Sequence, residues 1–101
     1  MVTVLKWDYF SYLQKIIIPN SVNNIGDGAF ALCCRLESII IPKSIKIIKQ
    51  ASFYGCKTLK NIDIPQSVTT IKKGAFYGCK SLPAYMIFDI IQRFGKEVFD
   101  S

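Results

Sequence analysis

The four cysteines are the residues of this chain with the most distinctive chemistry, and three of them recur at a constant interval. Cys33, Cys56 and Cys79 are each separated by 23 residues, and Cys34 is the fourth. Cysteine thiolates can bind zinc, but structural zinc sites use ligands at short paired spacings, which this interval lacks. We therefore interpret the recurring three as buried side chains that pack as small hydrophobic groups. Two neighbours could approach each other, although parallel side chains do not automatically supply the torsion angle of a disulfide.

Cys34 differs from the other three because lysines take its place one and two intervals later, at Lys57 and Lys80. This pattern predicts a thiol that faces solvent. We interpret Cys34 as an incidental surface substitution in preference to a redox site.

The charged residues do not form a recognisable catalytic set. The chain has no histidine, so it lacks the usual general base at neutral pH and the commonest metal ligand. Its seven acidic residues occupy mostly different positions within the 23-residue interval, so no carboxylate pair for acid–base catalysis is expected. We expect no enzyme activity, no metal and no cofactor.

The 23-residue interval belongs to a repeat that covers most of the chain. Three stretches carry nearly the same pattern, namely residues 16–38, 39–61 and 62–84. Residues 1–15 fit the same register as a partial repeat, and residues 85–101 fit it as a degenerate repeat or form a capping helix. A constant period of this length is typical of stacked repeats that bury their apolar sides against each other. The sequence therefore predicts one domain over residues 1–101.

Each repeat has the pattern of a short strand followed by a turn. Leu59, Ile62 and Ile64 alternate with other residues, as in a strand with one buried face, and Pro65 ends the strand because proline has no N–H to donate. Glycines such as Gly74 and Gly78 allow the tight backbone of the turn. Stacking at about 5 Å should align equivalent side chains in columns. The aromatic column is Trp7, Phe30, Phe53, Phe76 and Phe99, and the aliphatic column is Leu13, Leu36, Leu59 and Leu82.

The last segment has two interpretations. Tyr85 and Ile87 fall on strand positions of the repeat, whereas Ile87, Ile91 and Phe94 recur at helical spacing. We predict a strand at residues 85–87 followed by a helix that covers the end of the stack. Gly95 would cost such a helix roughly 1 kcal/mol relative to alanine.

The recurring pattern Leu-x-x-Ile-x-Ile-Pro-x-Ser-Val-x-x-Ile-Gly-x-x-Ala-Phe-x-x-Cys resembles the BspA-like leucine-rich repeats of the type 5 class, strongly over residues 13–82. The family's usual glycine after the second aliphatic pair is present as Gly26 but is replaced by Lys49 and Lys72. The resemblance implies an α/β leucine-rich-repeat solenoid shaped as a horseshoe. Its parallel sheet would line the concave face, with short turns or helical segments on the convex face. It also implies surface proteins involved in adhesion and partner binding.

The concave sheet is the predicted binding surface. Its exposed positions form one column with Ala84 and one with Met86, and two isoleucines are neighbours within it. An apolar strip with polar borders on a repeat surface can mark an interaction site. The candidate partner-binding residues are Lys15, Ile17, Ser38, Ile40, Asn61 and Asp63. We therefore predict a non-enzymatic module that binds a protein partner.

Two alternatives remain. The net charge of +6 permits a weak attraction to nucleic acid or other anions, but no stacking aromatic residues alternate with the basic ones, so nucleic acid is a minor hypothesis. Both ends of the chain are apolar and fall within a turn of the repeat. We therefore expect that the chain is part of a longer array or self-associates through its N-terminal edge, where Val2, Val4, Leu5 and Trp7 lie.

No apolar run approaches the ~20 residues that a membrane helix needs, so membrane insertion is not expected. The resemblance suggests the cell surface, but Lys6 and Asp8 interrupt the first apolar stretch, so we recognise no secretion signal there.

Overall fold

Short strands from three successive repeats stack in parallel in the computed structural model, which describes residues 13–101. The strands are β1 (Lys15–Ile17), β2 (Ser38–Ile40), β3 (Ile47–Ile48), β4 (Asn61–Asp63) and β5 (Thr70–Ile71), and a helix α1 (Ala84–Phe94) and a 3₁₀ helix (Lys96–Phe99) follow them. β1, β2 and β4 form a three-stranded front sheet, and β3 and β5 form a two-stranded back sheet. The front sheet pairs Ile16 with Ile39 and Ile39 with Ile62, so its register is the 23-residue interval.

The front strands are short because proline follows each of them. Beyond the strands, the amide of Ile18 donates to the carbonyl of Ile40, and that of Ile41 donates to Asp63. The next residue, Pro19 or Pro42, has no N–H to continue the ladder. This confirms the predicted role of the prolines.

The aromatic column forms the centre of the core. The rings of Phe30 and Phe53 stack with centroids 5.5 Å apart, and those of Phe53 and Phe76 are 5.3 Å apart. Phe99 continues the column at 6.0 Å in a tilted geometry. The column is confirmed for these four residues, and Trp7 lies outside the described residues.

The aliphatic column is confirmed in part. Leu36, Leu59 and Leu82 are buried. Leu13 is 43 % exposed, because it lies at the end of the described stack and not in its interior.

The back sheet was not predicted. Val68 and Ile71 point inward as expected, and the backbone beside them pairs with the preceding repeat: Thr69 donates to Lys46, and Lys72 donates to Ile48. The two back strands are only two residues long, and two residues are too few to give a strand pattern in the sequence.

The turns adopt left-handed backbone at two positions of each repeat. Gly28 and Gly74 have φ of 65° and 73°, and Ala51 has φ of 58° at the equivalent place. Gly55 and Gly78 occupy the second position, where the first repeat has Leu32 with φ of 61°. The stack therefore imposes a backbone conformation that glycine adopts easily and that an L side chain resists.

The predicted strand at residues 85–87 is wrong, because this segment is the first turn of α1. The amide of Met86 donates to the carbonyl of Pro83, which closes a turn instead of a sheet ladder. Helical spacing prevails because it places Ile90 in the core, with Ile87 and Phe94 packed against it. Ala84 and Met86 therefore do not extend the columns of the front sheet.

Gly95 ends α1 instead of interrupting it. Its φ of 92° and ψ of 159° lie in a region that is almost confined to glycine. The helix penalty expected for Gly95 therefore does not arise. With 11 residues, α1 is the longest helix in residues 13–101, and none of the helices there has the length and hydrophobicity to cross a membrane.

Candidate partner-binding surface

The six predicted binding residues lie together on the exposed face of the front sheet. The parallel register places Lys15, Ser38 and Asn61 in one row. Ile17, Ile40 and Asp63 form the second row. All six are exposed except Ser38, which is half-buried.

The two isoleucines of the second row give this face its apolar character. Ile17 is 63 % exposed and Ile40 is 37 % exposed, whereas the residue between the rows in each strand is buried. They border a shallow depression of about 340 Å³ that continues beyond the strand ends to Pro42 and Lys43. Two adjacent exposed isoleucines on paired strands provide an apolar contact area whose arrangement is set by the register of the sheet.

Charged groups border the apolar strip on both sides. Asp63 ends the isoleucine row, and Lys15 and Lys43 lie beside it. Within residues 13–101 the ion pair found joins Arg93 and Asp89 at 3.7 Å, so the carboxylate of Asp63 has no cationic partner in that part of the chain. A free carboxylate beside exposed aliphatic groups can select a partner that carries a basic side chain.

The recurring cysteines have a structural role. Cys56 donates its thiol hydrogen to the carbonyl of Phe30 at 3.0 Å, and Cys79 donates to Phe53 at 3.1 Å. Burial raises the pKa of the Cys79 thiol to about 12 and that of Cys56 is raised as well, through its contact with Cys33 and through burial. Both sulfurs therefore remain protonated at neutral pH. Cys33 is also buried, whereas Cys34 is exposed as predicted. Residues 13–101 contain no cluster of three side chains that could hold a metal.

One exposed aromatic feature was missed by sequence reasoning. The rings of Tyr54 and Tyr77 stack at 5.0 Å on the turn side of the stack. Beside them, Leu32 is 63 % exposed and borders a cavity of about 470 Å³ with Lys57 and Lys80. The sequence did contain a signal for this stacking, since each tyrosine directly follows a phenylalanine of the aromatic column.

A groove between β4 and α1 was also missed. It has a volume of about 360 Å³, and its walls are Ile62, Asp63 and Ile64 on one side and residues of α1, including Tyr85 and Arg93, on the other. It could not be predicted because residues 85–87, which were predicted to form a strand, belong to α1. The predicted self-association edge at Val2, Val4, Leu5 and Trp7 lies outside the described residues and stays a prediction.

Comparisons with known proteins agree with this architecture. The solved structure of a leucine-rich repeat protein from T. pallidum is similar, with a TM-score of 0.81 and 27 % sequence identity. The match covers 99 % of this chain but 49 % of that protein, so this chain spans about half its length. A search of curated proteins found no match.

The sequence pattern, the parallel stack and the family comparison all lead to one assignment. The family model of the BspA type leucine rich repeat region, which describes six copies of the repeat, matches residues 6–101. The repeats that stack here through their phenylalanines, cysteines and short strands are therefore those of this family. The chain belongs to the BspA type leucine-rich repeat family.

Proposed function

We propose that this chain is a non-enzymatic protein-interaction module and that it binds a partner on the exposed face of the front sheet. In this proposal, the front sheet is the concave face of a horseshoe-shaped array, and the turns with Gly55 and Gly78 lie on its convex face. Leucine-rich repeats are commonly scaffolds for protein binding, which supports the class of function.

The observation that carries the proposal is the pair of exposed isoleucines, Ile17 and Ile40, in one row of a rigid sheet. Fully burying an aliphatic side chain of this size is worth about 1.5–3 kcal/mol, and a partner that covers both gains the share of this that corresponds to their exposed fractions, 63 % for Ile17 and 37 % for Ile40. Asp63 and Lys15 at the borders of the strip would orient the partner. Adhesion at the cell surface is the specific role that the family association supports.

A binding comparison of two aspartate variants tests the site. Ile40→Asp places a charge in the middle of the proposed surface. Ile47→Asp is the matched control, because Ile47 is an isoleucine of the same repeat with a similar exposure of 42 % on the back sheet. Proteins recovered from the native source by the wild-type chain should be lost with Ile40→Asp and retained with Ile47→Asp. Equal recovery by both variants would contradict the proposed surface.

Salt dependence separates this proposal from anion binding. Contacts with phosphates weaken steeply as salt rises because binding releases counterions, whereas an apolar contact changes little. A partner recovered equally at low and high salt would support the isoleucine surface. A partner lost steeply with salt would favour the net charge of +6 as the cause of binding.

A further inference from the structure

The third repeat lacks a neighbour strand on its front side. In the first two repeats, Ile18 and Ile41 each donate an amide hydrogen to the next strand, at Ile40 and Asp63. The equivalent amide of the third repeat is that of Ile64, and the carbonyl it would reach in the same register is that of residue 86. Met86 is in α1, so that strand does not exist.

The outer edge of β4 therefore carries backbone groups without a partner strand. In the parallel ladder, Asn61 and Asp63 direct their backbone groups toward β2, whereas the amides of Ile62 and Ile64 and the carbonyl of Ile62 face away. Within residues 13–101, no backbone bond to the amide of Ile64 is found. Unpaired donors and acceptors at a sheet edge are a template for a further strand.

This edge lies along a groove that separates it in part from α1. The groove has Ile62, Asp63 and Ile64 as one wall. The opposite wall comes from the helix face that includes Met86, Asp89, Ile90 and Arg93. A strand edge opposite a helix is a geometry in which an extended peptide can bind through its main chain and place alternate side chains against the helix.

The rest of the volume that a fourth repeat would occupy is already filled by α1 and the 3₁₀ helix. This limits what can bind beside β4. On the turn side, Gly74 donates to Glu97 and Phe76 donates to Val98, so the 3₁₀ helix pairs with the third repeat there. Ile90 and Val98 fill the interior as buried residues. The space left beside β4 is therefore a groove of about 360 Å³, which is far smaller than another folded repeat.

The charges of the groove indicate which segment fits. Asp89 and Arg93 face each other at 3.7 Å and largely neutralise each other. Asp63 has no ion-pair partner within residues 13–101 and is the remaining charge of the groove. A peptide residue that lies beside Asp63 in the ladder is thus favoured when it is basic, since opposite charges on neighbouring strands attract.

We propose that the groove between β4 and α1 binds an extended peptide segment of a partner protein, which adds as a strand to β4 and places a basic side chain beside Asp63. This site adds to the isoleucine surface of the front sheet, and the two sites share Asp63 but no other residue. The amides of Ile62 and Ile64 donate to the peptide backbone, and the carbonyl of Ile62 accepts from it.

Amide hydrogen exchange with a defined peptide tests the proposal directly. The probe is a capped pentapeptide of sequence Thr-Val-Lys-Val-Thr, with Thr-Val-Glu-Val-Thr as its control. Exchange at the amides of Ile62 and Ile64 should slow on addition of the lysine peptide, while exchange at Ile41, which is already bonded, should not change. Unchanged exchange at Ile64 under saturating peptide, or equal slowing at Ile41, would overturn the proposal.

Two substitutions at residue 64 isolate the amide from the side chain. Ile64→Ala and Ile64→Pro both remove the aliphatic side chain, but only proline removes the N–H. A proline is tolerated at a sheet edge whose N–H faces away from the sheet, and Asp63 is already in the extended backbone that a following proline requires. We expect Ile64→Ala to retain peptide binding and Ile64→Pro to weaken it more than about ten-fold. Equal binding by the two variants would contradict strand addition. If Ile64→Pro fails to fold, the exchange measurement on the wild-type chain decides.

The preference for a basic peptide residue is tested by reversing the charge at Asp63. The wild-type chain should bind the lysine peptide about two- to five-fold more tightly than the glutamate peptide, and Asp63→Lys should reverse this order. Ile17→Ser is a neutral change in the isoleucine row, two strands away from Asp63, and should leave Ile64 exchange with the peptide unchanged. A failure of the isoleucine surface and a failure of the groove therefore give different results. If the exchange at Ile64 slows with rising concentration of the chain alone, a second copy is the occupant and the partner proposal is wrong.

Discussion

The turn side and the strand side of the third repeat end in different ways. On the turn side, the backbone ladder runs on from Gly74 and Phe76 into the 3₁₀ helix, and Phe99 takes the next place in the aromatic column. On the strand side, the ladder stops at β4, and the chain continues as α1 instead of forming a further strand.

The difference shows that the two sides depend on different properties of the sequence. The turn side requires an apolar side chain of suitable size at one position, which Phe99 provides. The strand side requires a stretch of extended backbone, and residues 84–94 carry helical spacing instead. A repeat can therefore continue its core while it abandons its sheet, and this leaves a free strand edge beside a helix.

The largest expected effect comes from the middle of the aromatic column. Phe53→Ala should lower the free energy of unfolding by about 3–5 kcal/mol, because the ring is fully buried between two stacked neighbours and the cavity cannot easily collapse. Phe99→Ala should lower it less, since Phe99 is half-buried and contacts one ring of the column, in a tilted geometry. Urea denaturation measures both. Equal losses would mean that the end of the column is as well packed as its middle.

A substitution at Gly95, where α1 ends, tests the strand side of the comparison. Gly95→Ala should destabilise the chain by about 1–3 kcal/mol, because its φ of 92° is strained for any L residue. An added Cβ would also meet the carboxylate of Glu97. The double variant with Glu97→Ala removes this contact and keeps the backbone strain. Thermal unfolding of the two variants separates these causes, and a neutral Gly95→Ala would show that α1 does not end as described.

The core and the exposed rows of the front sheet could be predicted from the sequence because they depend on a fixed interval. Phe53 and Ile40 each have an equivalent in the neighbouring repeat, so stacking alone determines their surroundings. The groove beside β4 could not be predicted, because Ile87 fits both the strand register and the helical spacing. Whether the segment forms a strand or a helix depends on how all of residues 84–94 pack. The position of Ile87 alone does not determine this.

A smaller effect is expected at the turn of the first repeat, which differs from the other two. Leu32 adopts φ of 61° where Gly55 and Gly78 stand later. Leu32→Gly should stabilise the chain by up to about 1 kcal/mol, since a left-handed leucine costs roughly 1–2 kcal/mol and glycine returns part of this through its greater freedom when unfolded. Denaturation of Leu32→Gly and Leu32→Ala checks this, because alanine removes the side chain and keeps the strain. If both variants are equally stable, backbone strain is not the cause.

The smallest expected effect compares the exposed and buried thiols. Alkylation of Cys34 in the native chain should change the free energy of unfolding by less than about 0.5 kcal/mol, because its side chain faces solvent. Cys56 and Cys79 should resist the same reagent, since both are buried and their raised pKa values keep the reactive thiolate scarce at neutral pH. Mass spectrometry of the alkylated chain locates the label, and Cys34→Ser is the control that should remove it. Labelling of Cys56 at the rate of Cys34 would show that the repeats separate on the time scale of the reaction. The stacked column would then be far less stable than the Phe53→Ala comparison requires.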